Sequence, residues 1–183
     1  MRYLLAAASA VAAFGFLPAG AAVLTIGSGP AHVCYEAARA DRSDSGALQE
    51  CNRAIDDREL TPFDRAATRV NRGIILINRD DATAALADFD EAIRLRPNLG
   101  EAHVNRGAAL ILAHDYTGAV ESITRGLTLD PEEPHKAYFN RALAYEAMGN
   151  VRAAYADYRR AQELSPSWDA PQRELARYTV TQR

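Results

Sequence analysis

Apolar residues recur at helical spacing from Ala66, break at a short polar stretch, and resume up to a proline at Pro97. In AATRVNRGIILINRDDATAALADFDEAIRLRP this pattern predicts a helix, a turn and a second helix. The block returns as GEAHVNRGAALILAHDYTGAVESITRGLTLDP from Gly100 to Pro131, and as HKAYFNRALAYEAMGNVRAAYADYRRAQELSP from His135 to Pro166. The closing prolines Pro97, Pro131 and Pro166 stand 34 and 35 residues apart. Recurrence at that length predicts an all-α solenoid of stacked helix pairs, since no single pair can bury its apolar face alone.

Each block repeats the same chemistry at the same places. Gly73, Gly107 and Ala142, with Ala85, Ala119 and Ala154, are small where the two helices should cross. Leu76, Phe89, Leu110, Ile123, Tyr145 and Tyr158 fill the space beside the crossing. Asp80-Asp81, Asp115 and Gly149-Asn150 supply the turns. The prolines end the second helices by removing a donor and clashing with the preceding turn.

This arrangement resembles the tetratricopeptide repeat. The resemblance covers about 100 residues, on Arg72-Gly73, Leu76, Ala85, Phe89, Ala92 and Pro97 and their counterparts in the other two copies. One departure is systematic: arginine stands at Arg72, Arg106 and Arg141, where the family usually has leucine. Asp88 is expected to pair with Arg72, and Asp157 with Arg141. The resemblance implies a right-handed α-α superhelix whose first helices line a concave face. It also implies a non-enzymatic role in binding another protein or an extended peptide segment, with no cofactor.

The expected units are repeats at 66–99, 100–134 and 135–168 and a capping helix at 169–180, within a repeat domain of 62–183. An atypical hairpin precedes them at 28–61, with helices at Pro30–Arg39 and Ala47–Glu59 around a turn at Asp41–Gly46. Thr61 as N-cap and Pro62 at the first helical position open the next helix. Cys34 and Cys51, the chain's two cysteines, lie nearly symmetrically about the hairpin turn. Antiparallel helices would bring them level, where a disulfide is sterically possible. Two free thiols packed as small hydrophobes are the alternative.

The N-terminus bears on compartment. Arg2 precedes an uncharged stretch from Tyr3 to Ile26, interrupted by Pro18 and followed at once by Ala19-Gly20-Ala21. These are the parts of a secretory signal spanning 1–21, cut after Ala21. An uncleaved membrane anchor reaching to about residue 26 is the other reading. Either puts the remaining chain outside the cytoplasm: in the periplasm or secreted from a Gram-negative-like bacterium, or anchored to the inner membrane facing the periplasm. Contact with a membrane is expected only if the segment is retained.

Net charge is −3, which argues against nucleic acid as a ligand, because phosphate binding needs clustered Lys and Arg. The histidines, His32, His103, His114 and His135, are scattered. No metal-binding HExxH, P-loop or nucleophile elbow is present. The sequence therefore points to no metal and no catalytic residues.

The candidate binding residues lie on the first helices. Asn71, Asn105 and Asn140 are 34 and 35 residues apart, so stacking should set them in a row. An asparagine amide both donates and accepts, which suits the backbone of an extended peptide. Similar asparagine ladders occur in tetratricopeptide superhelices that grip peptides. Val70, Ile74, Val104, Phe139 and Leu143 are expected beside the row, with Lys136 as a nearby charge. The carboxylate clamp of chaperone-binding members is not matched: Val70 and Ile74 stand where Lys and Asn belong. The alternative function is an accessory subunit of an envelope secretion, export or cell-wall assembly machine, held by its outer surfaces.

Overall fold

The computed structural model describes residues 3–7 and 29–182. The signal cleavage site and most of the possible anchor lie outside them. Among the described residues the chain forms a strand β1 (Tyr3–Ala7), helices α1 (Pro30–Arg39), α2 (Ser45–Asp56), α3 (Pro62–Ile77), α4 (Ala82–Leu95), α5 (Gly100–Leu112), α6 (Tyr116–Leu127), α7 (Pro134–Ala147), α8 (Val151–Leu164) and α9 (Asp169–Leu175), and a strand β2 (Tyr178–Gln182).

The hairpin α1–α2 forms as its sequence expects, though α2 begins two residues earlier and stops short of Glu59. Asp44 caps it by accepting from the Ala47 N–H at 3.0 Å, and Asp41 takes a left-handed conformation at the reversal. Cys34 and Cys51 are bonded across it, with Cα atoms 4.8 Å apart and both side chains buried. A cross-link over 17 residues is worth roughly 3 kcal/mol in the chain-entropy account. Arg65 fastens this hairpin to the repeats, donating to the carbonyls of Ile55 in α2 and of Asp57 and Leu60 in the linker.

The repeats share the devices at their inter-helix turns, and the first repeat also has a side-chain cap at its start. Thr61 accepts from the Asp64 N–H at 3.1 Å and Pro62 opens α3. At the three inter-helix turns, Asp80, His114 and Gly149 occupy equivalent left-handed positions. The residue after each, Asp81, Asp115 or Asn150, caps the second helix from its side chain. Within each pair α3 packs on α4, α5 on α6 and α7 on α8. Neighbouring first helices also meet, α3 with α5 and α5 with α7, whereas no comparable contact joins α4 to α6 or α6 to α8. The stack therefore curves with the first helices inside.

Two of the three arginines that replace leucine form ion pairs inside their hairpins. Arg72 donates twice to Asp88, at 2.6 Å each, and Arg141 donates to Asp157 at 2.7 and 3.0 Å. Asp88 is only 2% exposed and also accepts from Arg69 at 2.8 Å.

The C-terminal end departs from expectation. The capping helix stops at Leu175, well short of residue 180, because Tyr178, Thr179, Val180 and Thr181 are aromatic or β-branched and favour extended backbone. That strand pairs antiparallel with β1, from Tyr3 opposite Gln182 to Ala7 opposite Tyr178. β1 thus falls inside the segment the sequence reads as a signal. Tyr178 packs on Tyr155 and Tyr158. Glu146 ties the end to α7, accepting from Tyr158 at 2.9 Å and from Arg177 at 2.8 Å. Burial, then the Glu146 charge, pushes the Tyr158 phenol far above its usual pKa, so it stays a donor.

Candidate functional site

Helical spacing puts the candidate binding residues on α3, α5 and α7, and the structure places them there. It does not leave them on an open groove. Val70 and Ile74 belong to the core shared with Cys34, Ala37, Ala38 and Cys51, so the N-terminal hairpin covers them. Val104 packs toward α6 instead: a Cβ on Gly126 would stand 2.6 Å from its Cγ2. Phe139 lies under Trp168, ring centroids 4.9 Å apart, and against Tyr158 at 5.4 Å. Leu143 shares that core with Ala170 and Tyr178. The expectation that these five line an exposed surface is corrected: they hold the inner helices to the rest of the fold.

Lys136 is half-buried and donates to Glu133 at 2.9 Å, one turn before it. His135 beside it stacks edge-on to Trp168 at 5.3 Å, and burial lowers its pKa, so it is uncharged at neutral pH.

The asparagines are the exception to this packing account. Asn71, Asn105 and Asn140 are each 0% exposed, yet neither polar atom of any of the three amides has a hydrogen-bond partner among the described residues. A buried amide left unbonded costs about 1–3 kcal/mol per group. Buried polar groups in folded proteins are nearly always paired, so three equivalent exceptions ask for an explanation. All three occupy the same place in their repeats, on inner helices that touch one another.

Arg69, on α3, was not singled out from the sequence. Its position three residues before Arg72 puts both on one helix face, which is the signal that would have found it.

Comparison with known proteins agrees with the fold. A profile of the tetratricopeptide repeat matches residues 135–167. The chain is 28% identical over 122 residues to tetratricopeptide repeat protein 36 of Bos taurus, covering 63% of this chain and 65% of that one. It is similar in structure to MamA (41-end) from Desulfovibrio magneticus RS-1, with TM-score 0.64, 22% identity, and coverage of 80% of this chain and 79% of that chain. It is also similar to the second tetratricopeptide domain of human RPAP3 in complex with an HSP70 peptide, with TM-score 0.58, 22% identity, and coverage of 63% and 96%. The chain spans less than two thirds of the full length of its curated relative. With its repeat period and its paired helices, the chain has the fold of tetratricopeptide repeat proteins, and its third copy matches the profile of that repeat.

Proposed function

We propose that this protein is a non-enzymatic adaptor that holds an extended segment of a partner protein along its inner helices, outside the cytoplasm. The observation that carries the reading is the row of unpartnered amides at Asn71, Asn105 and Asn140. Packed helices lie about 8–10 Å apart. Extended chain advances about 3.3 Å per residue, so successive asparagines would meet roughly every third residue of a ligand. Each residue of such a segment brings one N–H and one C=O, the two groups an amide can satisfy. The RPAP3 domain, of like fold, is a peptide complex.

Because the amides are fully buried, binding on this reading requires the inner face to open first. The ligand's intrinsic affinity is then reduced by the fraction of molecules that are open. Each Asn→Ala change removes a neutral hydrogen bond worth about 0.5–1.5 kcal/mol. The triple variant Asn71→Ala/Asn105→Ala/Asn140→Ala is expected to keep its helical melt and to bind a display-selected 12-residue peptide at least about tenfold more weakly. Full-strength binding by a folded triple variant would move the site off the inner face.

The compartment rests on the signal-like N-terminus and on the Cys34–Cys51 bond, which persists in oxidising surroundings. Protein recovered from the periplasm is expected to begin at Ala22, with an intact mass two hydrogens below that of the free dithiol. A full-length chain, or two titratable thiols, would contradict export with a bridge.

A further inference from the structure

The seams between successive outer helices are filled twice by the chain's own side chains, and once left open. Between α2 and α4, Arg69 and Arg72 converge on Asp88, and Arg72 also donates to Asn52 at 2.6 Å. Between α6 and α8, Arg141 pairs with Asp157, donates to Thr124 at 3.0 Å, and lies over the Tyr138 ring at 5.3 Å. In the middle repeat the equivalent positions carry His103, Arg106 and Ser122. Ser122 offers no carboxylate, and its hydroxyl donates to the backbone oxygen of His103 at 2.8 Å. Arg106 therefore turns out of its own hairpin to Asp90 of α4, at 2.6 Å. That pair is peripheral, with side chains 33% and 59% exposed. A cleft of about 490 Å³ remains between α4, α5 and α6.

We propose that this cleft docks a basic side chain, arginine or lysine, of a partner protein. The cleft offers charge complementarity within a shaped site. Arg106 and Asp90 neutralise each other, which leaves Asp115 and Glu121 on the lining. Neither has an ion-pair partner among the described residues: Asp115 accepts only from the Gly118 N–H, at 3.0 Å. Ile93 supplies an apolar wall for the aliphatic stem, the part of such side chains that packs while the head stays with charge and water. In the first seam the chain sets a basic side chain of its own, Arg69, against the Asp88 carboxylate. This site is on the outer side and independent of the asparagine row.

The test is a titration of the ¹⁵N-labelled protein at low ionic strength with acetyl-Gly-Gly-Arg-Gly-Gly-amide, against the same peptide carrying glutamate. Saturable shifts are expected at the Ile93, Gly118 and Ser122 amides with the arginine peptide alone. Asp115→Asn/Glu121→Gln should weaken the response about fivefold, the scale of two partly exposed ion pairs. His103→Tyr, which installs the residue the third repeat carries as Tyr138, should fill the cleft and abolish it while the melt is retained. The proposal is overturned if no saturable shift arises, if the glutamate peptide shifts the same amides, if the carboxamide double variant binds as wild type does, or if a folded His103→Tyr protein still responds.

Discussion

Replacing Gly107 by leucine is expected to cost about 3 kcal/mol of stability, the upper end of the range for an overpacked core. The reason is the closeness of the α5–α6 crossing. Even a bare Cβ at this position would stand 2.3 Å from Ile123 Cγ1 and 3.0 Å from the backbone oxygen of Ala119. Ile123 is fully buried, and the Ala119 oxygen belongs to a helix, so neither can retreat without separating the pair. A leucine side chain would add three further carbons to a place that cannot accept the first. The effect should spread, because α6 also contacts α7 and the third repeat rests on that contact. Urea unfolding followed by circular dichroism measures it. A midpoint equal to wild type would mean that the crossing lies elsewhere.

Asp88→Ala is the second large change, expected to cost about 3 kcal/mol. Removing one partner of a buried ion pair costs 3–5 kcal/mol as a rule, because it strands the other charge. Here two guanidiniums are stranded together, Arg69 and Arg72, which now converge on one carboxylate. The lower end of the range applies because both arginines keep about a fifth of their surface in water. Asp157→Ala removes the partner of Arg141 alone and should cost less, since that arginine retains Thr124 and the Tyr138 ring. Unfolding free energies of the two single variants decide the order. Equal losses, or a greater loss at Asp157, would show that the double convergence on Asp88 adds nothing.

The fold was legible because its determinants are local and repeated. Prolines, small residues and turn residues at 34- and 35-residue intervals define the helix pairs with no knowledge of distant contacts. The Arg72–Asp88 and Arg141–Asp157 pairs were legible too, since both lie 16 residues apart across the same hairpin. The swing of Arg106 to Asp90 depends on an absence at Ser122 and on the neighbouring helix, neither of which repeats. Periodicity also states which side a residue faces without stating what lies over it. Val70 and Phe139 face inward as expected, but a hairpin and Trp168 cover them. The capping helix expected at 169–180 ends instead at Leu175. The β-branched run beyond it forms a strand.

The asparagine row is expected to meet the ligand directly. The side-chain amide signals of Asn71, Asn105 and Asn140 in a ¹⁵N spectrum report on it directly, because each amide is buried and has no partner among the described residues. On saturation with a display-selected 12-residue peptide, all three pairs of signals are expected to move downfield as their N–H groups take up acceptors. Saturating binding that leaves all three unmoved, with shifts confined to α4, α6 and α8, would contradict it.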